Sequence, residues 1–317
     1  MKHSDSKDNV KHSYGSAPVG VMDPPAVVLP EKSVFSERAK RLRELSGRVA
    51  SLRDFLGFMA RVALAQHQVL ERRVPEWLPE PGAFELALEH NMTPLGIHAL
   101  RRDIDWQSEL MAILDALELH VGQAQRPLLV RLREMDGAAL DALAEDVLEE
   151  RPGAEELRGL MPLVASALQV AWVRMTQVLP TPPKRPPHEA RALCPCCGSS
   201  PVASVIHIDS RRSGVRYLHC GLCATEWYLE RAKCSVCDRS DDLNYLGLED
   251  EAGKAVVPMQ AETCGDCHSY LKIVSREWNA AADPLADDLA SLALDLMLGE
   301  EGKFQRSGFN PMLIAGD

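Results

Sequence analysis

Eight cysteines in this sequence fall into four Cys-x-x-Cys pairs, Cys194/Cys197, Cys220/Cys223, Cys234/Cys237 and Cys264/Cys267. Two residues between thiolates let a tight turn aim both sulfurs at one tetrahedral ion, and a residue tolerant of positive φ after the second cysteine eases that turn. Gly198 fits this need; Ala224, Asp238 and His268 hold the equivalent places, with Ala224 the least comfortable. Four ligands close one tetrahedral site, so eight cysteines predict two metal ions in two four-cysteine sites. Pairing in sequence order leaves intervening segments 198–219 and 238–263 and reads as a duplicated ribbon module. A cross-braced pairing, first with third and second with fourth, is the alternative.

The ninth cysteine, Cys196, lies between the ligands of the first pair. It reads as a spectator thiol, against a sharper reading as a reactive thiol beside the metal site. The metals themselves admit two readings. They staple a small domain with little core of its own, or, as iron, they form rubredoxin-like one-electron centres where zinc would be silent.

Other chemistries find less support. The run "HEARALCPCC" places His188 and Glu189 before cysteines but lacks the H-x-E spacing of zinc deaminases. Four pairs at ribbon spacing outweigh a thioredoxin-type redox motif. His207, His219 and His268 lie near sites already complete in sulfur and read as packing or surface residues, as do Trp227, Tyr228, Tyr245 and Tyr270 as ribbon core. No nucleophile or acid–base constellation appears, so no enzymatic activity is expected. Nucleic-acid binding by a metal-stapled or regulatory ribbon is the rival function. Charge opposes it: the chain carries a formal net charge of −11, and residues 191–275 hold nine Arg/Lys against eleven Asp/Glu. The loop "RRSGVR" at 211–216 is a local basic exception that reads as solvated, against a sharper reading as a contact for an acidic partner.

The elements that must position the cysteines follow from pattern. All nine cysteines lie between 194 and 267, and clustered thiols without an apolar leader or membrane span predict a cytoplasmic metalloprotein. Residues 1–30 are rich in Ser, Gly, Pro and charge and are expected to be flexible. Over 31–178 apolar residues recur at helical spacing, as in Leu42, Leu45, Val49, Leu52, Leu56, Met59 and Leu64. The proline-rich stretch 179–193 reads as an extended linker. The two four-cysteine modules then occupy 194–232 and 233–278. A helix within 279–317 is predicted with Asp283 as N-cap, Pro284 in its first turn and Gly299 as its stop. The fold class is therefore α+β and multidomain.

The blocks "CPCCGSSPVASVI", "GVRYLHCGLCATEW", "KCSVCDRSDDLNYLGLED", "ETCGDCHSYLKIV" and "DPLADDLASLALDLML", with "GFNPML" near the end, resemble the successive blocks of the FdhE family of formate dehydrogenase accessory proteins. The resemblance runs strongly over 191–313 and more loosely from about residue 34. It implies a cytoplasmic assembly factor needed for active respiratory formate dehydrogenase, which contacts the catalytic subunit before export. It also implies rubredoxin-like centres with iron preferred over zinc, held by Cys194, Cys197, Cys220, Cys223, Cys234, Cys237, Cys264 and Cys267. His268 departs from the glycine expected after the fourth knuckle.

Overall fold

A computed structural model describes residues 24–314 apart from 73, 101–103, 209–211, 213 and 250–254. Strand β1 (Val27–Val28) opens the described chain. Among the described residues ten helices follow: α1 (Val34–Arg48), α2 (Arg53–Leu70), α3 (Glu85–Glu89), α4 (Ile97–Leu100), α5 (Trp106–Leu117), α6 (Arg126–Glu134), α7 (Gly137–Leu148), α8 (Met161–Gln177), α9 (Pro284–Ala290) and α10 (Leu292–Glu301). Between α8 and α9 run β2 (Pro201–Ile206), β3 (Arg216–Cys220), β4 (Glu226–Tyr228), β5 (Leu243–Glu249), β6 (Ala255–Cys264) and β7 (Ser269–Ser275), and β8 (Gln305–Arg306) follows α10.

The helical part is built around α8, every residue of which from Met161 to Thr176 is buried. A helix apolar all round must lie inside its domain, and α2, α5 and α7 pack around it. Its one arginine, Arg174, is satisfied by Glu109 of α5 at 2.8 Å and by the carbonyls of Leu70 and Val69, so it caps the C-terminal end of α2. Aspartates start the later helices: Asp105, Asp136 and Asp283 accept the backbone N–H of Ser108, Ala139 and Ala286.

The seven principal strands form one sheet in the order β1-β4-β3-β2-β7-β6-β5, with β8 added beside β7. Each cysteine module contributes an antiparallel three-stranded unit, β2-β3-β4 and β5-β6-β7. The units join where β2 runs parallel to β7, Ser204 opposite Ile273. The repeat therefore propagates edge to edge, leaving β5 as one outer strand and β1 covering the other.

Three expectations need correction. Within the stretch expected to be flexible, Val27 is buried and pairs with Trp227, because β4 offers an open edge there; residues 1–23 lie outside the described residues. The C-terminal helix is not continuous: it breaks at Ser291, whose hydroxyl turns back to the carbonyls of Asp287 and Asp288. Its stop is Gly302 in a left-handed conformation (φ 62°), and Gly299 lies inside α10.

Opposite ends of the chain are bolted together. Arg41 of α1 grips Asp287 of α9 through two guanidinium nitrogens, and Arg38 bonds Asp283 at 3.2 Å. Lys272 of β7 is fully buried, donating to Ser291 and paired with Asp288 at 3.2 Å; Arg306 of β8 binds the same Asp288 at 2.7 Å. Asn310 completes that carboxylate's shell at 2.8 Å. Burial alone would raise the Asp288 carboxyl, but Arg306 and Lys272 outweigh it and hold the group below its ordinary value.

Candidate metal centres

Each cysteine pair sits on a tight turn, the first leading into β2 and the other three between consecutive strands. In the first three, the leading cysteine donates its N–H to the carbonyl five residues on: Cys194 to Ser199, Cys220 to Thr225 and Cys234 to Arg239, each at 2.9 Å. At all four turns the residue after the second cysteine lies in the left-handed region, with φ of 83° at Gly198, 56° at Ala224, 65° at Asp238 and 55° at His268. The fourth turn thus adopts the same backbone with histidine in place of glycine. Backbone N–H groups point at sulfur as well, Leu222 and Cys223 toward Cys220 and Val236 toward Cys234, all at 3.4 Å.

The four turns converge as two quartets. Cys194, Cys197, Cys220 and Cys223 come together, as do Cys234, Cys237, Cys264 and Cys267, with the ligand atoms of each group within 4.8 Å of one another. The sequential pairing is the arrangement adopted, and the cross-braced one is not. Sulfur–sulfur separations are 3.5 Å (Cys194–Cys223) and 3.4 Å (Cys197–Cys220) in the first quartet, and 3.7 Å for Cys234–Cys267 and Cys237–Cys264 in the second. A disulfide needs roughly 2 Å, whereas a tetrahedron with bonds of about 2.3 Å has edges of roughly 3.8 Å. The donor set fits a metal ion in each quartet. Burial pushes the Cys194 and Cys220 thiols well above their ordinary value, so a cluster of buried thiolates requires a compensating cation.

The two centres differ in setting. All four sulfurs of the first are buried, and helical residues close over it. Leu95 donates to the carbonyl of Cys196 at 2.8 Å, and Ile97 to that of Cys197. Trp172 of α8 holds Leu95 from behind through its indole N–H, and Gln169 donates to the carbonyl of Gly221 at 2.6 Å. In the second centre Cys237 and Cys267 are partly exposed, and the intervening Val236 is half exposed. Cys196 is fully buried outside the quartet, its thiol set among Cys194, Cys223 and Thr225.

Several residues outside the quartets position the centres. Arg191, in the linker, accepts the Trp227 indole N–H on its carbonyl at 2.8 Å. Its guanidinium reaches the Cys234 carbonyl and Asp238 on the first turn of the second centre. One residue therefore ties both modules, its backbone carbonyl to the first and its side chain to the second. Arg216, in the loop expected to be solvated, is buried, forks onto Glu262 at 2.7 and 2.9 Å and donates to the carbonyls of Arg231 and Lys233. Arg212 of the same loop binds Glu226 at 3.0 Å. Trp227 and Tyr270 are core, as expected, while Tyr245 is 45% exposed. It stands on the outer strand β5 and donates its hydroxyl to Glu262 at 2.8 Å.

His207 and His219 are packing residues organised by Glu226. His207 takes a hydrogen bond on Nδ1 from Arg276 at 3.0 Å, which places its own proton on Nε2, donated to Glu226 at 2.8 Å. His219 Nδ1 meets the other carboxylate oxygen at 3.4 Å. Burial opposes ionisation of Glu226, but the two imidazoles outweigh it and hold the carboxyl well below its usual range. A buried carboxylate on a β-strand between two histidines is legible in principle from polar residues at strand positions expected to be apolar.

Among the described residues no helix is long and apolar enough to cross a membrane. Family models described as "FdhE, N-terminal", "FdhE, central domain" and "FdhE, C-terminal domain" match residues 24–189, 193–231 and 232–313. A "Protein FdhE homolog" of Cronobacter sakazakii is 37% identical over 294 residues, covering 93% of this chain and 92% of that one. A "Protein FdhE" of Salmonella paratyphi A is 38% identical over 296 residues, 93% of each. The crystal structure of the FdhE protein from Pseudomonas aeruginosa superposes with a TM-score of 0.80 at 36% identity, over 92% of this chain and all of that one. With three consecutive family models spanning the helical part and both cysteine quartets, the chain belongs to the FdhE family.

Proposed function

We propose that this protein is a cytoplasmic maturation factor for a respiratory formate dehydrogenase, binding the catalytic subunit before export. Membership of the FdhE family along the whole described chain carries this reading. In it, a helical domain over 31–178 and a linker over 179–193 precede two rubredoxin-like modules over 194–232 and 233–278. The eight cysteines of the two quartets are the ligands of two metal ions, iron in preference to zinc. Iron in such a cage supplies a one-electron couple; zinc would supply only rigidity.

The cysteine quartets present no open coordination position, in keeping with a protein that acts by contact or electron exchange rather than by turning over a substrate. A strain lacking this gene product, supplied with the wild-type chain or with Cys234→Ser/Cys237→Ser, tests the reading. Formate dehydrogenase activity in the membrane fraction is expected from the wild type and to fall at least about tenfold with the variant. Co-purification of the catalytic subunit with the wild-type chain is expected alongside. Full activity in the strain without the protein would contradict the proposal. Full activity with a zinc-filled, colourless wild type would restrict the metals to a structural role.

A further inference from the structure

The two edges of the sheet differ. The edge at β4 is covered by β1, whereas β5 pairs with β6 alone among the described residues. Alternate residues of β5 turn both N–H and C=O away from β6, as an antiparallel ladder requires. Over Leu243–Gly247 the register is regular, from Leu243 opposite Cys264 to Gly247 opposite Gln260. That run, "LNYLG", holds no proline and no charge, the devices that blunt an open edge. Asn244, Tyr245, Leu246 and Gly247 are all exposed.

Apolar surface flanks this edge on both faces of the sheet. On one face, Tyr245 and the 55% exposed Trp278 wall a cleft of about 280 Å³ floored by Ile206 and Ile273. The Tyr245 hydroxyl is tied to Glu262, itself forked by Arg216, so the ring is fixed in place. On the other face, Leu246 lies opposite Ala261, against which Leu294 and Leu298 of α10 pack. Asp295, on one flank of that helix, reaches Tyr270 and Arg306. Met297 lies on the opposite flank, toward β5, and is exposed. Exposed carboxylates mark the ends of the strand and the cleft: Asp241 and Asp242 before β5, Glu249 at its end and Glu277 on the cleft. Against them stands Arg231, also on the cleft. Arg239 is taken by Asp266 at 3.4 Å and Lys233 by Asp238 at 3.0 Å.

We propose that β5 is a docking edge, onto which an extended segment of the client catalytic subunit adds as a further strand. Main-chain hydrogen bonds to the open side of β5 supply affinity, and alternate side chains supply selectivity. One set lies against Tyr245 and Trp278, the other against Leu246 and Met297. The segment that fits is a short apolar run with lysine or arginine at its ends, because carboxylates outnumber the single free guanidinium around the strand. The identity of the client rests on the maturation reading, whereas the docking edge does not.

Fluorescence anisotropy of the purified full chain with a labelled probe peptide, valine-rich and carrying two lysines at each end, tests the edge. Saturable binding is expected, weaker for the same peptide with glutamates at its ends and lost when proline replaces its central residue. Leu246→Lys places a charge on the edge and is expected to weaken binding at least about tenfold. Trp278→Ala alters only an exposed wall of the cleft and is expected to weaken it about threefold to tenfold, so the test survives if the first variant fails to fold. Absence of saturable binding, or an affinity unchanged in both variants, would overturn the edge. Equal affinity for the glutamate-ended peptide would overturn the charge assignment. A dimer that Leu246→Lys disperses, with no peptide bound, would give the edge to a second copy of the chain and overturn the proposal. Co-purification separates the edge from the maturation reading: Leu246→Lys is expected to lose the catalytic subunit that the wild type retains. Retention by both would overturn the edge, and absence from both would overturn the maturation reading.

Discussion

Gly198 shows how a single residue conditions a metal centre. It follows Cys197 at φ 83°, and a Cβ placed there would meet only the Thr93 methyl at 4.0 Å. Space is therefore available and backbone conformation is the constraint. Gly198→Ala is expected to cost about 1–2 kcal/mol of unfolding free energy, measured by denaturant titration of the metal-loaded protein; an unchanged midpoint would refute the backbone argument. Asp288 makes the corresponding electrostatic case. Its carboxyl is depressed, so the stability it contributes is fully present above its ordinary value of 3.8 and is lost as pH falls through its lower folded value. Asp288→Asn leaves Lys272 and Arg306 undercompensated, at a cost of about 3–5 kcal/mol near neutral pH. The difference between wild type and variant is expected to stay constant from neutral pH to about 5 and to shrink only below about 4. A difference that vanishes between pH 7 and about 5 would show that another group carries the effect.

Among elements, the two quartets share one turn geometry but differ in what covers them. The segment Leu95–Ile97, backed by Trp172, seals the first, while two of the four sulfurs of the second are partly exposed. Metal loss to a chelator requires solvent or chelator access to sulfur, so the second centre is expected to release its ion at least about tenfold faster. Time-resolved metal release with a colorimetric chelator, compared between wild type and Cys264→Ser/Cys267→Ser, checks this order. A fast phase that persists in that variant would reverse the assignment. The turns are legible in the sequence because a Cys-x-x-Cys spacing is local and its geometry hardly depends on the rest of the chain. The helices are legible from apolar spacing, and Asp283 from its place before Pro284. Gly299 misleads because a glycine inside a helix and a glycine ending one look alike without the backbone hydrogen bonds that choose Gly302.

At the scale of the whole molecule, what sequence does not disclose is what joins distant segments. The parallel β2–β7 contact fuses the two modules into one sheet, yet Ser204 and Ile273 carry no local signal of each other. Lys272, Asp287 and Asp288 look like solvated charges in isolation and become buried partners only when α9 packs on the sheet and on α1. Arg191 likewise appears as a linker residue until its two modules close around it. These ties hold both quartets and the helical part in one fixed frame. X-ray absorption at the metal edge of the purified full chain, with metal quantified per chain, is the decisive measurement. Two ions per chain are expected, each with four sulfur neighbours at about 2.3 Å and no nitrogen or oxygen in the shell. A single ion per chain, or a shell containing light-atom ligands, would contradict it.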